Sequence, residues 1–346
     1  MNRREFLHPR RLAKVAGPVL GIADELESPA PSTSDPVLLR FARRAMATMF
    51  EVIVPLDSPG ASEYATAALD EIDRLETQLT VYRTTSEVSR LNARAADHPV
   101  RVEKNLFNLL ALAQRIHRDT DGAFDVALGA LIKTWGFFRR QGRMPTPMEL
   151  KAVRERIGMN HVLLDAKRQT VFFDRPGIEI NLASIGKGYA LDCAARIGKA
   201  PSVFLHGGHS SILAFGNETP NSQGWTVGLT DPERPQCRRA LVRLVNRAMA
   251  TSALTHQHFE HAGKKLGHLL DPRSAWPAEG MLSATVTAPT AAEADALATA
   301  FFILGVEKAR TYCETHPEIG AALIAVDAPG RLVVLGRGTD EVEVLR

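Results

Sequence analysis

The stretch PTAAEADALATAFFILG, residues 289–305, decides how the chain folds near its C-terminus, because its small and apolar residues predict one buried helix. Asp295 lies in the first turns of this helix among alanines and leucines, and Thr299 follows four residues later. That spacing places the carboxylate and the hydroxyl on the same helix face. Two interpretations are open. In the first, the charge of Asp295 is favourable near the beginning of the helix, and the hydroxyl of Thr299 is bonded to its own helix. In the second, the two side chains are hard oxygen ligands for Mg²⁺.

The segments on either side of this helix predict an α+β fold. Apolar residues at helical spacing dominate the first half, whereas β-segments bounded by Gly, Pro and Asp dominate the second half. Helices are predicted over residues 62–80, 104–119, 146–158, 291–304 and 306–315. Strands or hairpins are predicted over residues 46–56, 161–173, 177–182, 202–216, 224–231, 240–253, 281–290 and 321–336. We find no internal repeat, and a length of 346 residues suits either two domains or one large domain.

The composition and charge are those of an ordinary globular protein. Of the 346 residues, 45% are hydrophobic and 23% are charged, which provides material for a sizeable core. The 42 basic and 39 acidic residues leave a net charge of +3, too small to indicate a nucleic-acid partner. Cys193, Cys237 and Cys313 are odd in number and have no metal-type spacing, so we interpret them as structural or incidental. No run reaches the ~18 apolar residues that a transmembrane span requires.

Residues 1–36 form a basic tail that ends in a Pro- and Ser-rich linker at 28–36. Arg3 and Arg4 precede Glu-Phe-Leu, a pattern that resembles the start of a twin-arginine export signal. The apolar stretch that follows is interrupted by a lysine, a glycine and a proline, and no small-residue cleavage site is clear. Two interpretations are therefore open: export to the periplasm or cell envelope, or a basic tail on a cytoplasmic protein.

The segment NLASIGKGYALD, residues 181–192, combines features that suit both an anion and a cation. An apolar strand is predicted to end at Asn181, and a helix is predicted to begin near Gly186 after a turn of small residues. Backbone N–H groups at such a junction bind anions, whereas carbonyl groups of the turn can face a cation. Lys187 adds a charge that favours phosphate, but no Ser or Thr follows it, so this is not a Walker loop. A generic strand–turn–helix junction is the alternative.

Three further segments carry polar residues in predicted turns. TDGAFDVALG, residues 120–129, contains Phe124 and Asp125, a pair typical of a turn anchor. FLHGGHSS, residues 204–211, has two histidines three residues apart, which would point to opposite faces of a strand. This argues against a zinc site, and the two glycines instead favour close approach of a flat ligand. GHLLDP, residues 267–272, places a histidine before an Asp-Pro turn, which a capped turn also explains.

The order of the motifs is more informative than any one of them. The series is Met-x-Thr at 46–48, Tyr-x-x-x-Ser-x-x-x-x-Leu-Asn at 82–92, Thr-Asp-Gly-Ala-Phe-Asp at 120–125, Lys-Gly-Tyr-Ala-x-Asp at 187–192, Gly-Gly at 207–208, Ala-Thr-Ser at 250–252, His-x-x-Asp-Pro at 268–272 and Ala-Asp-Ala-x-x-Thr at 294–299. This series resembles the ApbE family of FAD:protein FMN transferases over roughly residues 40–335.

The resemblance implies an ApbE-type flavin transferase fold, with mixed or antiparallel sheets on which helices pack, and an FAD-binding domain over residues 37–346. It also implies a Mg²⁺-dependent reaction. In that reaction a Thr or Ser hydroxyl of a target flavoprotein attacks the pyrophosphate of FAD, FMN becomes linked through a phosphoester, and AMP leaves.

Position by position, the resemblance also implies roles for individual residues. The implied magnesium ligands are Asp295, Thr299 and the backbone carbonyl of Ser184. The implied FAD contacts are Met46, Tyr82, Ala123, Phe124, Asp125, Asn181, Lys187 and Leu269. His268 matches the histidine that deprotonates the acceptor hydroxyl, and histidine is a suitable base at neutral pH.

Several positions depart from the family pattern. Alanine replaces a usual glycine at Ala47 and Ala253, the turn at 181–184 has lost a carboxylate, and His209 stands where Asp or Asn is usual. An alanine in place of glycine matters most where the backbone needs a positive φ. Two alternatives to the transferase therefore stay open: hydrolysis of FAD to FMN and AMP, and FAD binding without catalysis.

Overall fold

The structure, a computed structural model, describes residues 37–198, 200–254, 258–261 and 263–345. The basic tail at 1–36, with its twin arginine, lies outside the described residues. Within these ranges, none of the helices combines the length and the apolar character that crossing a bilayer requires.

Eight α-helices lie within the described ranges, and most bury one face. They are α1 (Ala61–Leu79), α2 (Glu87–Arg94), α3 (Lys104–Asp119), α4 (Gly129–Thr134), α5 (Pro147–Arg154), α6 (Gly186–Arg196), α7 (Ala291–Thr315) and α8 (Gly338–Glu341). Short 3₁₀ helices span Phe137–Arg139 and Met159–His161. Gly305, with φ 77° and ψ −179°, interrupts α7, so the two consecutive helices predicted from the sequence are confirmed as halves of one broken helix.

The strands form one large antiparallel sheet and several small ones. They are β1 (Leu38–Ala45), β2 (Thr48–Pro55), β3 (Val100–Arg101), β4 (Val162–Asp165), β5 (Thr170–Phe173), β6 (Val203–Gly207), β7 (Ser211–Phe215), β8 (Trp225–Thr230), β9 (Arg238–Leu244), β10 (Arg247–Ala253), β11 (His258–His261), β12 (Lys264–Gly267), β13 (Leu270–Asp271), β14 (Trp276–Pro277), β15 (Met281–Ala288), β16 (Gly320–Ala325), β17 (Val333–Gly336) and β18 (Val342–Val344).

The large sheet has the order β1-β2-β6-β7-β10-β15-β16-β17. Two three-stranded sheets, β18-β9-β8 and β3-β5-β4, and the hairpins β11-β12 and β13-β14 complete the pairings of the described strands. All of these pairings are antiparallel. The prediction of an α+β fold with antiparallel sheets is therefore confirmed.

The large sheet separates two hydrophobic cores, because successive side chains of a strand point to opposite faces. Val52 and Val54 of β2 belong to the core that the helices cover, whereas Ile53 between them belongs to the core beneath β18-β9-β8. The helices α1, α6 and α7 pack on the first face, and Phe301 and Phe302 of α7 are fully buried there. The position of α7 against the strands β10 and β15 fixes where its polar residues lie.

One predicted strand, at residues 177–182, is wrong. This segment begins in a turn at Gly177, forms no strand and pairs with no strand among the described residues. Instead, the backbone of Ile180 exchanges two hydrogen bonds with the side chain of Asn92, and the Asn181 N–H donates to the Val126 carbonyl at 2.7 Å. A side-chain amide and a loop thus satisfy the polar backbone groups that a sheet would otherwise pair. Apolar alternation cannot distinguish the two solutions.

Helices α6 and α7 lie in close contact at Gly188. A Cβ atom added at Gly188 would lie 2.0 Å from the carbonyl oxygen of Ala291 and 2.8 Å from the N–H nitrogen of Ala292. These are backbone atoms, which cannot move aside by changing rotamer. Only glycine therefore allows the two helices to come this close.

Gly188→Ala is expected to lower the free energy of unfolding by at least about 3 kcal/mol, the upper end of the usual cost of overpacking. Urea unfolding followed by circular dichroism measures this change. Gly186→Ala, two residues earlier in α6, is the matched control, since its Cβ would meet only the Leu182 Cβ atom at 3.9 Å. We expect the control to stay within about 1 kcal/mol of wild type. Equal stability of the two variants would contradict the close approach.

Candidate active site

Asp295 is held in a defined orientation by two groups from other elements. Its Oδ2 atom accepts a hydrogen bond from the Gly188 N–H at 2.7 Å, and its Oδ1 atom accepts one from the Ser211 hydroxyl at 2.5 Å. The Nζ atom of Lys187 lies 4.0 Å from Oδ2. Asp295 is only 6% exposed, so these contacts orient a largely desolvated carboxylate. Sequence reasoning did not assign a role to Ser211, although it belongs to the FLHGGHSS segment.

A second carboxylate attaches α6 to the beginning of α7. The two oxygens of Asp192 accept hydrogen bonds from the N–H groups of Ala291 and Ala292 at 2.8 and 2.9 Å. These N–H groups have no partner inside the helix, and the positive end of the helix dipole favours an anion there. Burial raises the pKa of Asp192 to about 6, although the two N–H donors oppose this rise. Asp192 thus fixes the beginning of the helix that carries Asp295. In the sequence, Asp192 is noted only as the last residue of the Lys-Gly-Tyr-Ala-x-Asp motif.

The Thr299 hydroxyl has two neighbours. It lies 3.4 Å from the backbone carbonyl of Asp295, on its own helix, and 3.3 Å from the hydroxyl of Ser252 on β10. The first contact matches one of the two interpretations left open by the sequence, in which the threonine is bonded to its own helix. The second contact brings another oxygen to the same place, so both interpretations of the Asp295–Thr299 pair remain compatible with the geometry.

Two cavities adjoin beside this cluster. The Asp295 cavity has a volume of about 490 Å³, and its walls include Ser184, His268, Asp295 and Thr299. The Tyr82 cavity has a volume of about 290 Å³, and its walls include Met46 and Tyr82. The residues that line both are Ala47, Arg140, Asn181, Ala183 and Lys187. Because they share these walls, the cavities form two halves of one divided depression.

The structure brings together nearly all of the residues singled out from the sequence. Those on the Asp295 cavity are Ala123, Asp125, Asn181, Ser184, Lys187, His268, Leu269, Asp295 and Thr299. Those on the Tyr82 cavity are Met46, Tyr82, Asn181 and Lys187. Phe124 differs, because its side chain is fully buried in the main core and lines neither cavity.

Asp125 anchors the turn that follows α3. Its Oδ1 atom accepts the Ala127 N–H at 2.6 Å, and its Oδ2 atom accepts the Met159 N–H at 2.8 Å. The Nδ1 atom of His117 lies 3.2 Å from the same Oδ2 atom and 3.0 Å from the Phe124 carbonyl oxygen. The expectation of a turn anchor is confirmed, and the same residue also contributes to the cavity wall.

His117 makes the stability of this turn depend on pH. Burial disfavours the protonated imidazole, but the hydrogen bond and the charge of Asp125 outweigh this cost and raise the pKa of His117 above 6.5. The resulting stabilisation is complete below the pKa of the unfolded state and is lost as pH rises through the higher pKa of the folded state.

We expect His117→Asn, which keeps a neutral N–H donor, to be less stable than wild type at pH 6 by about 1 kcal/mol, the difference between a charged and a neutral hydrogen bond. The difference should shrink at pH 9. Thermal unfolding across this pH range measures it. Exposed His98, changed to asparagine, is the control and should give no such trend. A stability gap of His117→Asn that stays constant from pH 6 to pH 9 would rule out this charge interaction.

His268 lies on the wall of the Asp295 cavity, just after the hairpin β11-β12. Its ring meets the ring of Phe137 edge-on, with the centroids 6.4 Å apart. Phe137 belongs to a separate apolar cluster formed around Trp135, whose Nε1 atom donates to the Ala275 carbonyl at 3.0 Å. The imidazole therefore packs against a buried aromatic ring while lining the cavity.

The turn between β1 and β2 bears one of the departures from the family pattern. Met46 and Ala47 both have a positive φ, of 49° and 62°. A left-handed conformation costs an alanine roughly 1 kcal/mol, which a glycine would not incur. Ala47 therefore occupies a strained position on the walls of both cavities. Ala253, by contrast, lies in the extended strand β10, where alanine fits without strain.

Tyr82 lies at the surface of its cavity and is 67% exposed. Its ring stacks on that of Phe138, with centroids 4.7 Å apart and an interplanar angle of 27°. An exposed aromatic face of this kind can stack on a planar ligand ring.

The expectation that His206 and His209 point to opposite faces of a strand is wrong. His206 lies in β6, whose pairing continues to Gly207, but His209 lies in the following turn with φ 60°, so the two rings stack with centroids 5.2 Å apart. His206 also contacts Glu51 at 3.1 Å, and burial lowers its pKa. No group of three His, Cys, Asp or Glu residues suited to a metal occurs among the described residues.

A hard cation beside Asp295 would therefore be bound by few carboxylate ligands from the protein. Asp295 supplies one desolvated carboxylate, and the hydroxyls of Thr299 and Ser252 lie 3.3 Å from each other on the same cavity. Mg²⁺ characteristically takes one or two carboxylates from the protein, together with phosphate and water oxygens. The all-oxygen donor set fits that ion and does not fit a metal that prefers imidazole or thiolate.

Fold and site together suit a protein that holds an elongated anionic ligand next to a hard cation. The sequence profile of the ApbE family matches residues 46–324, and the chain belongs to this family.

Individual relatives agree with this assignment. The chain is 31% identical over 297 residues to a protein of Salmonella typhimurium named FAD:protein FMN transferase, which covers 82% of this chain and 83% of that protein. The crystal structure of an ApbE protein from Thermotoga maritima superposes with a TM-score of 0.79 at 26% identity, covering 86% of this chain and 97% of that chain. The apo flavinyl transferase ApbE of Pseudomonas stutzeri superposes with a TM-score of 0.77 at 25% identity, covering 90% and 98%.

Proposed function

We propose that the protein is an FAD:protein FMN transferase, which moves FMN from FAD to a Thr or Ser hydroxyl of a target flavoprotein in a Mg²⁺-dependent reaction. The hydroxyl oxygen forms a bond to the phosphorus of the FMN half, the bond from that phosphorus to the bridging oxygen breaks, and AMP leaves. The observation that carries the proposal is the meeting of Asp295, Thr299, Lys187 and His268 on one cavity. The name of the Salmonella relative, FAD:protein FMN transferase, supports the same reaction.

The divided cavity suits FAD as the donor. FAD is a long molecule whose two halves meet at a pyrophosphate, and the two cavities offer adjoining volumes of about 490 and 290 Å³. Lys187 lines both and carries a positive charge. Tyr82 presents an aromatic face in one of them. These features support contacts of Lys187 with phosphate oxygens and of Tyr82 with a planar ring.

Asp295, Thr299 and the carbonyl group of Ser184 would hold Mg²⁺. When bound, this ion supplies positive charge to the phosphate oxygens of the donor. The hydrogen bonds from Gly188 and Ser211 to Asp295 keep the carboxylate in one orientation, so that little reorganisation is needed when the ion binds.

His268 would accept the proton of the attacking hydroxyl. It lines the Asp295 cavity, and the aromatic contact with Phe137 restrains its ring. A base in this position raises the nucleophilicity of the hydroxyl as the oxygen–phosphorus bond forms. Lys187 is suited to stabilise the negative charge on the departing AMP.

The direct test mixes the protein with FAD, Mg²⁺ and a candidate acceptor flavoprotein. We expect AMP and covalent flavin in equal amounts, with the flavin visible as a fluorescent band and as a mass increase of the acceptor. An acceptor whose Thr or Ser is changed to alanine is the control. AMP release at a comparable rate without acceptor would favour hydrolysis, and FAD binding without any AMP would favour a binding protein.

A further inference from the structure

Arg140 lies at the boundary between the two cavities, and its position is a consequence of the fold. It follows the 3₁₀ helix Phe137–Arg139 and lines both the Asp295 cavity and the Tyr82 cavity. Only one other basic residue, Lys187, lines both within the described part of the chain. A ligand that extends from one cavity into the other must therefore pass these two cations.

The two cations differ in their surroundings. The Nζ atom of Lys187 lies 4.0 Å from an oxygen of Asp295, so part of its charge is balanced by the protein. The guanidinium of Arg140 is exposed, and no hydrogen bond or ion pair joins it to another described side chain. By contrast, the nearby Lys133 and Arg143 pair with Glu179 and Glu149. Arg140 thus keeps its full set of donors for a ligand.

The backbone around Arg140 is restrained by short-range hydrogen bonds. The Arg140 N–H donates to the Phe137 carbonyl at 3.0 Å, and the Arg143 N–H donates to the Trp135 carbonyl at 2.9 Å, which closes the loop. Arg140 itself has φ 56°, a left-handed conformation that glycine adopts with less strain. Non-glycine residues in such conformations cluster at ligand-binding sites, where the side chain is required.

We propose that the guanidinium of Arg140 binds a phosphate oxygen of the dinucleotide that spans the two cavities, which Lys187 also lines. The inference rests on the proposed function, because it takes FAD as the ligand. The planar guanidinium offers paired N–H donors that match phosphate oxygens. Arg140 is therefore a further binding residue, which the sequence motifs did not indicate.

The test is a comparison of FAD affinity by isothermal titration calorimetry, with a chelator present so that no metal-dependent turnover occurs. Loss of a charge-assisted hydrogen bond in Arg140→Gln should weaken FAD binding roughly tenfold or more. Arg139→Gln is the matched control, since this adjacent exposed arginine lines neither of the two cavities and should bind FAD as wild type does. Added salt should weaken FAD binding less steeply for Arg140→Gln than for wild type.

Riboflavin, which has no phosphate, separates a phosphate contact from a ring contact. We expect wild type and Arg140→Gln to bind riboflavin equally. FAD affinity unchanged in Arg140→Gln, or equal losses for FAD and riboflavin, would overturn the inference. A melting temperature of Arg140→Gln equal to that of wild type confirms that the variant is folded.

The two proposals fail in different ways. FAD binding that depends on Arg140, without any flavin transfer to an acceptor, would overturn the transferase and leave Arg140 as a phosphate-binding residue. Flavin transfer with FAD affinity unaffected by Arg140→Gln would overturn only the role of Arg140. A wild-type protein that does not bind FAD would overturn both.

Discussion

Asp295→Asn is expected to lower the rate of FMN transfer by roughly 10²–10³-fold, the usual effect of removing one preorganised electrostatic contact from a reaction centre. Asp125 and Asp295 both line the Asp295 cavity, but the oxygens of Asp125 are occupied by two N–H groups and His117. Asp125 therefore cannot replace the lost charge. The rate is measured from AMP release and covalent flavin at saturating FAD and increasing Mg²⁺.

Asparagine is chosen because alanine would leave the Gly188 N–H and the Ser211 hydroxyl without their acceptor. Each buried polar group left in this way costs about 1–3 kcal/mol. The second measurement is the melting temperature with and without Mg²⁺ and FAD. We expect Mg²⁺ to add to the stabilisation that FAD gives wild type, but not to the stabilisation that FAD gives Asp295→Asn. A folded Asp295→Asn protein with the wild-type rate and the wild-type response to Mg²⁺ would exclude the proposed metal site.

His268→Gln is expected to lower the rate of transfer by roughly 10²–10⁴-fold, the contribution typical of a general base. FAD affinity should change little, because the proposed role of His268 concerns the acceptor hydroxyl rather than the donor. The two expectations together give a loss in kcat with an almost unchanged dissociation constant for FAD. Single-turnover flavin transfer and calorimetric titration measure the two quantities separately.

Rescue distinguishes a base from a residue that only shapes the cavity. Added imidazole should partly restore the rate of His268→Ala, because a small base can enter the space that the side chain leaves. His98→Gln, at an exposed position outside both cavities, is the control and should transfer FMN at the wild-type rate. A wild-type rate in His268→Gln would mean that another group removes the proton.

Elements whose residues bury one continuous face were predictable from the sequence. The helix predicted at 104–119 has the same bounds in the structure, and the hairpins predicted at 161–173 and 321–336 are present. The position of Thr290 before α7 also has a local explanation, since its hydroxyl accepts the Glu293 N–H at 3.2 Å. Periodicity and capping act over a few residues, so a sequence read in short windows contains this information.

Residues 177–182 were not predictable in this way. Their apolar alternation suits a strand, but the side chain of Asn92, 88 positions away from Ile180, satisfies the backbone instead. The relative orientation of His206 and His209 was also not predictable from the sequence. Strand geometry separates the two side chains only while both lie in the strand, and the chain turns before the second one.

The sequence by itself determined the fold class, most helices and hairpins, and the identity of Asp295, Thr299, Lys187 and His268 as residues of interest. Only the tertiary structure decided what surrounds them. The contacts of Asp295 with Gly188 and Ser211 join residues 107 and 84 positions apart. Arg140 reaches the junction of the cavities through a loop that carries no motif. Such contacts depend on how whole helices and strands pack, and hydrophobic periodicity specifies which face is buried but not which distant group lies against it.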